Sequence, residues 1–158
     1  MKWSADPALL RHPVHLLAFG FGSGLSPVAP GTFGTLIAVP IVMFVMSFGF
    51  AAHLLFAVVA SACGVYICGE SARRLAVHGH PGIVWDEIAG YTVTMLAAPR
   101  EWYWLLSGFV LFRFFDIVKP WPIREADHSL RGGVGIMLDD IIAGIFAGAI
   151  LLGVKFFL

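Results

Sequence analysis

The sequence is short of charge over much of its length. No Asp, Glu, Lys or Arg occurs between Arg11 and Glu70, and charged residues make up 13% of the 158 residues, against about 25% in a typical soluble domain. Hydrophobic residues make up 59%, and the mean hydropathy is +0.87. An uncharged stretch of this length is too long for a soluble core to bury, so we expect a lipid bilayer to surround much of the chain.

Cysteine and excess basic charge are also lacking. Ten acidic and ten basic residues give zero net charge, which argues against a nucleic-acid partner. The two cysteines, Cys63 and Cys68, lie in an apolar run, so neither a disulfide framework nor a zinc cluster is predicted. The N-terminus lacks a short apolar core followed by a small-residue cleavage site, so we expect the first long apolar run to belong to the mature protein.

Apolar runs are what the sequence has in abundance, and they predict an all-α, polytopic membrane helical bundle with about five membrane-embedded helices. We expect the whole chain, residues 1–158, to form one integral-membrane domain, and we leave self-association into a homo-oligomer open. Trp102, Tyr103 and Trp104 begin one run as residues typical of a membrane interface. The runs cover residues 35–50, 52–70, 84–99, 102–118 and 136–158.

A segment rich in glycine and proline, residues 16–35, precedes the first run. Its composition opposes a regular helix, yet it is apolar enough to lie at membrane depth, where irregular backbone must be covered by protein or a polar cavity. We expect a re-entrant or interfacial loop. Its backbone N–H groups, with the hydroxyls of Ser26 and Thr32, could hold an anion. The alternative is a glycine-rich turn before a membrane helix.

The basic residues predict the orientation of the chain. With the N-terminus in the cytoplasm, seven of them fall in cytoplasmic segments, while Arg100 lies in an outside loop and Lys155 at the far end. This agrees with the positive-inside rule. The glycine-rich segment and the acidic residues discussed next would then meet at the cytoplasmic face.

Five acidic residues adjoin or lie within apolar runs, where charge is costly and usually marks function. Carboxylates crowded together repel one another without a cation, and Mg²⁺ prefers a few carboxylates plus substrate phosphate and water. The alternatives are acids at helix N-termini and, for Asp116, an ion pair with Arg113 or Lys119. We predict a shared Mg²⁺ site formed by Asp86, Glu87, Asp116, Asp139 and Asp140, with Glu87, Asp116 and Asp140 as catalytic residues.

Basic side chains near these acids are candidates for binding phosphate: Arg113, Lys119 and Arg124. For Lys119 and Arg124 the alternative is a topology signal at the headgroup interface, and that interpretation is favoured for Arg131. Gly144 and Gly148 have a spacing that favours helix packing.

Three further patterns carry less weight. Cys68 and Arg74 have the C-x5-R spacing of cysteine phosphatases, but Cys68 ends an apolar helix and Glu70 would face the anion, so we treat the match as chance. His78 and His80 are expected to be surface histidines. His128 is a candidate proton donor.

Four blocks of the sequence, LSPVAPGTFGT, WDEIAGY, FRFFDIVKPWPI and GGVGIMLDDIIAGIFAG, resemble the phosphatidylglycerophosphatase A family of bacterial inner membranes. The resemblance runs from about Phe19 to Gly148 and keeps the order of the blocks. It implies Mg²⁺-dependent hydrolysis of phosphatidylglycerophosphate to phosphatidylglycerol and phosphate, a multi-pass inner-membrane location and contact with membrane lipids. The family's acidic positions correspond to the five acids named above, and its lysine to Lys119.

The sequence also argues against other functions. A phosphotransferase acting on CDP-lipids would carry a DGxxAR signature, which is absent, as are the PSGH blocks of another lipid phosphatase class. An ion or proton transporter would spread its acids across the bilayer depth, whereas these are predicted at one face. A non-catalytic membrane scaffold would leave the five acids unexplained.

Overall fold

The described part of the chain is helical. A computed structural model describes residues 5–125 and 130–158, and within those ranges there are helices and turns but no strand. The all-α prediction is therefore confirmed. The principal helices are α1 (Pro13–Ala18), α2 (Pro30–Met46), α3 (Phe50–Leu75), α4 (Trp85–Thr94), α5 (Trp102–Val118) and α6 (Gly132–Phe157), with short 3-10 segments at Pro7–Arg11, Gly20–Leu25 and Met95–Ala97.

Two of the described helices, α3 and α6, are long and apolar enough to cross a membrane. Each has 26 residues and a mean hydropathy of 2.0 over its most apolar stretch. The run at residues 35–50 lies mostly in α2 and the run at 102–118 coincides with α5, each a helix of 17 residues. The prediction of about five membrane helices is therefore not confirmed by length and composition.

The run at residues 84–99 shows most clearly why an apolar run need not be a membrane-spanning helix. Its helix, α4, has 10 residues and gives way to a 3-10 turn. Ile88 and Tyr91 are fully buried, and α4 packs against α2, α3 and α6. Its apolar character therefore reflects burial inside the protein, as expected for an apolar stretch this short.

Helices α4 and α6 pack through glycine. A Cβ atom added at Gly144 would lie 2.4 Å from the carbonyl oxygen of Gly90, and one added at Gly90 would lie 2.7 Å from the carbonyl oxygen of Asp140. The helix backbones are thus in direct contact, which confirms the packing role expected for Gly144. Because Gly90 follows Asp86 and Glu87 by one turn, this contact brings the acids of the two helices together.

The glycine-rich segment is more regular than predicted. Residues Gly20–Leu25 form a 3-10 segment with left-handed backbone at Phe21 and Gly22, and α2 begins at Pro30, directly after Ala29 in the left-handed region (φ 47°). The expectation that residues 16–35 form no regular helix is wrong for residues 16–18, which end α1, and again from Pro30 onward, because proline is well suited to the first helical turn. Whether the segment is re-entrant or interfacial stays a prediction.

Candidate active site

A cavity of about 380 Å³ lies where the first turn of α4, the end of α5 and the N-terminal half of α6 meet the loop before α4. It contains all five acids that the sequence singled out, and it brings three separate segments of the chain together. The residues that line it are His78, Gly79, His80, Pro81, Ile83, Asp86, Glu87, Asp116, Lys119, Gly135, Ile136, Asp139 and Asp140.

Asp86 and Glu87 lie in the first turn of α4. A helix N-terminus favours negative charge, so the helix-end interpretation remains compatible with both residues. Neither acts as an N-cap, however, since Val84 occupies that position without a side-chain cap. The helix dipole thus stabilises charge on two carboxylates that face a cavity.

Asp139 and Asp140 are not helix-terminal acids. Helix α6 begins at Gly132, about two turns before them, so the helix-end interpretation is wrong for this pair. The sequence analysis had placed the start of this apolar run at residue 136. Close packing against α3 requires glycine in this first turn, because a Cβ atom at Gly133 would lie only 1.7 Å from the carbonyl oxygen of Val65.

Asp116 and Arg113 lie one turn apart near the end of α5 and form an ion pair in which Arg113 Nη1 donates to Asp116 Oδ2. The same guanidinium nitrogen lies 3.8 Å from Glu87 Oε1. All three side chains are largely buried, with 11–14% of the side chain exposed. Arg113 therefore links α4 to α5 and provides positive charge beside two acids.

Lys119 ends α5 in the left-handed conformation (φ 45°, ψ 61°). Its Nζ lies 2.6 Å from Asp139 Oδ2, so this lysine forms a salt bridge with an acid on α6. The sequence had offered Asp116, three residues earlier, as its partner. The left-handed turn ends α5 at this residue, and the ammonium group reaches an acid on another helix.

The acids form two overlapping groups with the spacing of metal ligands. In each group one oxygen per residue lies within 4.8 Å of the others; the groups are Asp86, Glu87 and Asp140, and Asp116, Asp139 and Asp140. In the first group Asp86 Oδ1, Glu87 Oε2 and Asp140 Oδ1 are buried and have no hydrogen-bond partner among the described residues. Buried polar atoms are normally satisfied, so these oxygens fit a divalent cation.

Of the predicted phosphate-binding residues, only Lys119 lines this cavity, and four do not: Arg113, Ser26, Thr32 and Arg124. Arg113 nevertheless contacts Asp116 and lies 3.8 Å from Glu87, and both of these acids line the cavity. Ser26 Oγ donates to the carbonyl of Val28 instead, and Arg124 is exposed, as is Arg131. His128, the candidate proton donor, lies outside the described residues. Cys68 is buried against Met137, with 3.9 Å between the sulfur atoms, which agrees with a chance match to C-x5-R.

Sequence reasoning missed two features of the site. Gly31, in the first turn of α2, is so close that a Cβ atom there would lie 2.3 Å from Glu87 Oε1. His78 is exposed, as expected, and His80 is half-buried, but both also line the cavity. The HGHPG motif was visible in the sequence, but only the tertiary structure shows where that loop lies, and no local pattern signals the approach of Gly31.

Comparison with known proteins identifies the family of the chain. The family profile named phosphatidylglycerophosphatase A matches residues 16–155, which is most of the chain. The chain belongs to the phosphatidylglycerophosphatase A family. It is accordingly a phosphatase, and with two apolar helices of membrane-spanning length it is a membrane protein.

Two curated relatives carry the family's name. Phosphatidylglycerophosphatase A of Escherichia coli (strain K12) is 46% identical over 143 residues, covering 90% of this chain and 83% of the relative. Phosphatidylglycerophosphatase A of Haemophilus influenzae is 42% identical over 151 residues, covering 94% and 93%.

A third relative, from Bacteroides thetaiotaomicron, is 37% identical over 147 residues, covering 84% of this chain and 87% of the relative. It is named provisionally as a phosphatidylinositol-3-phosphatase. No solved structure matches the chain.

Proposed function

We propose that this protein is a Mg²⁺-dependent phosphatase that hydrolyses phosphatidylglycerophosphate to phosphatidylglycerol and phosphate. The names of the two closely matching relatives give the reaction. The observation that carries the proposal is a set of buried oxygens on Asp86, Glu87 and Asp140 that have no hydrogen-bond partner among the described residues. Lys119 lines the same cavity, and Arg113 lies beside two of the acids that line it. Such a site suits a cation and a phosphate group together.

Asp86, Glu87 and Asp140 would hold the metal ion. Their oxygens are close enough to share one cation, and Mg²⁺ is bound in proteins by a few carboxylates with water and substrate phosphate. When bound, the ion neutralises negative charge on the phosphoryl group as it transfers. Asp116 and Asp139 complete the predicted ligand set through the second group, which shares Asp140.

Asp116 and Asp139 also have a second role in this proposal, because each contacts a cation. Asp116 positions Arg113, and Asp139 positions Lys119. Arg113 Nε is buried and has no acceptor among the described residues, so it is a donor suited to a phosphate oxygen. The paired acids hold Lys119 at the cavity and Arg113 beside two acids that line it, which reduces the entropy lost when a phosphate binds.

Glu87 is our candidate for orienting and deprotonating the attacking water. Its two oxygens have different surroundings, since Oε1 lies 3.8 Å from Arg113 while Oε2 is buried without a partner among the described residues. A carboxylate held in this way can accept a proton from water as the oxygen–phosphorus bond forms. The bond to the glycerol oxygen then breaks, and that oxygen takes up a proton from a cavity group or solvent.

The location we propose is the bacterial inner membrane, with several membrane-embedded segments and the cavity at the cytoplasmic face. The last turn of α3 carries Arg73 and Arg74, which favours a cytoplasmic end for this helix. The loop that follows α3 leads to His78 and His80, which line the cavity. A substrate could therefore keep its acyl chains in the inner leaflet while its headgroup reaches the acids.

Phosphate release from lipid by the purified protein tests this function. We expect release from phosphatidylglycerophosphate in Mg²⁺ and loss of release with EDTA. Phosphatidylinositol 3-phosphate is the comparison substrate, because the third relative is named for that lipid. Preferential release from the inositol lipid would contradict the proposed substrate, and release that persists in EDTA would contradict the metal requirement.

A further inference from the structure

An apolar groove of about 370 Å³ lies between α2 and α5. Each described residue that lines it has an aliphatic, thioether or aromatic side chain, and Leu36, Trp102 and Leu106 are more than half exposed. Because the chain is a membrane protein, such a surface contacts hydrocarbon and not water. The proposed function assigns no role to this groove.

The groove follows one face of α5 toward the acids. Trp102, Leu106 and Phe109 line it, and their spacings of four and three residues place them on one face of the helix. A further step of four residues along that face reaches Arg113, which is ion-paired beside the acids. The α5 side of the groove therefore ends about one helical turn from this guanidinium.

The α2 side of the groove leads to the same acids. Leu36, Val39 and Met43 line it, again on one helix face by their spacing. The first turn of α2 lies against Arg113, because a Cβ atom added at Gly31 would lie 3.2 Å from both terminal nitrogens of the guanidinium. The two helices therefore run in opposite directions along the groove, and Leu36 lies at the end nearer the acids.

The groove has the length and the polarity of a lipid acyl chain attached to an anionic headgroup. Arg113 and Trp102 are eleven residues apart, which is about 16 Å along an α-helix. This length is close to half of the roughly 30 Å hydrocarbon core of a bilayer, the depth that the chains of one leaflet fill. A guanidinium at one end suits the headgroup, and the apolar side chains along the rest suit the chain.

We propose that the groove between α2 and α5 binds one acyl chain of the phospholipid substrate, while the phosphorylated headgroup lies beyond Arg113 at the acids. This inference rests on the proposed function, because it takes the occupant of the acid cavity to be a phospholipid. The chain exchanges one hydrocarbon environment for another, so binding is gained through fit to the groove and not through removal of apolar surface from water. The groove thereby positions the lipid relative to the acids.

Filling the groove with a larger side chain tests the proposal. Leu106→Trp on α5 and Leu36→Trp on α2 each place an indole where the acyl chain would lie. Both leucines are more than half exposed, so neither change needs to disturb the core. The matched control is Leu152→Trp in α6, because Leu152 is 56% exposed, against 55% for Leu106, and does not line the groove.

Two substrates separate the acyl chain from the headgroup. Dioctanoyl phosphatidylglycerophosphate carries both, while glycerophosphoglycerophosphate keeps the two phosphates and has no acyl chain. In Leu106→Trp and in Leu36→Trp, the ratio of kcat/KM for the acylated substrate to kcat/KM for the deacylated one should fall about tenfold, since a misfit of a few atoms in an apolar site has an effect of this size. Leu152→Trp should keep the ratio within about twofold of the original protein.

The ratio distinguishes loss of the groove from damage to the fold, because damaged protein loses activity on both substrates alike. An unchanged ratio in either groove variant, or an equal fall in Leu152→Trp, would overturn the inference. A dimer in detergent that both groove variants convert to a monomer would also overturn it, because the groove would then be an interface between two copies of the chain.

Binding of the reaction product separates this inference from the proposed function. Dioctanoyl phosphatidylglycerol is titrated by calorimetry, with Mg²⁺ present, into the original protein and into Leu106→Trp. If the original protein hydrolysed neither substrate, the proposed function would fail, while a dissociation constant about tenfold higher in Leu106→Trp would still support the groove. Equal dissociation constants in the two proteins would overturn the inference.

Discussion

Lys119 Nζ lies 2.6 Å from Asp139 Oδ2 and joins the end of α5 to α6 across the cavity mouth. The lysine side chain is 28% exposed and the aspartate side chain 8% exposed. The pair explains why a lysine follows α5 directly, in a left-handed conformation that costs a non-glycine residue some strain. The turn carries the ammonium group to the acids of another helix.

Replacing Lys119 with Met should weaken phosphate binding, because it removes positive charge from the cavity and leaves Asp139 without this counter-ion. We expect kcat/KM for phosphatidylglycerophosphate to fall about 10- to 100-fold. Lys119→Arg keeps the charge and should lose less. Steady-state phosphate release in Mg²⁺ checks both variants.

Asp139→Asn provides the matching half of a double-mutant cycle. Residues in contact show interaction energies of about 0.5–3 kcal/mol, so the double variant should be less impaired than the two single losses combined predict. Fully additive losses of kcat/KM would show that the Lys119–Asp139 contact does not contribute to activity.

Substitutions in the two groups of acids should differ in how much they weaken metal binding. Asp86→Asn and Asp140→Asn remove ligands whose oxygens have no hydrogen-bond partner in the described part of the chain, so both should weaken metal binding at least tenfold. Asp116→Asn should retain more metal affinity and lose more phosphate affinity, because Asp116 also holds Arg113. Calorimetric titration with Mg²⁺, then with phosphate, checks each variant. Equal metal affinities for all three would contradict the proposed division.

Gly31→Ala should displace the Glu87 side chain although no acidic residue is replaced. The new methyl group would lie 2.3 Å from Glu87 Oε1 and 3.2 Å from Arg113 Nη1, so at least one of these side chains must move. We expect kcat to fall at least tenfold, since displacing a catalytic group by about 1 Å can cost that much or more. Steady-state kinetics on lipid substrate provides the measurement.

The control for this change is Gly153→Ala in α6, where an added methyl group would meet no atom of the described residues within 4 Å. It should leave kcat unchanged and stabilise the helix slightly, because alanine favours helix over glycine. A Gly31→Ala protein with undiminished kcat would show that the site tolerates movement of Glu87.

Gly144→Ala should act on stability as well as activity. Its methyl group would lie 2.4 Å from the backbone oxygen of Gly90, and backbone in a packed core yields less easily than a side chain. Overpacking of this kind costs about 1–3 kcal/mol. Thermal unfolding in detergent should show a lower midpoint than Gly153→Ala. Equal midpoints would contradict close α4–α6 packing as the scaffold of the site.

The sequence was most informative where charge interrupts apolar runs. Five acids could be identified from the sequence pattern, because each adjoins or lies within an apolar run: Asp86, Glu87, Asp116, Asp139 and Asp140. Their meeting in one cavity followed from the predicted topology. The spacing within α5 offered the Arg113–Asp116 pair, which the structure contains. It could not show that Lys119 pairs with Asp139, because these residues lie far apart in the sequence and on different helices.

The number of membrane helices was harder to predict, for a physical reason. A short helix buried on all sides and a membrane helix are both apolar, and α4 is of the first kind. Gly31 and His80 were missed because their importance lies in tertiary proximity to Glu87 and the cavity. Ser26 and Thr32 were proposed from hydroxyl chemistry in a glycine-rich segment, and their places in the fold lie away from the cavity lining.

The most direct test of the central claim is phosphate release from phosphatidylglycerophosphate by the purified protein and by Asp140→Asn, each titrated with Mg²⁺. Asp140 is common to both acid groups and is 3% exposed. We predict Mg²⁺-dependent release by the original protein, and a fall of at least 100-fold in kcat/KM for the variant. Release by Asp140→Asn at the rate of the original protein, with the same Mg²⁺ dependence, would contradict a phosphatase site built on these carboxylates.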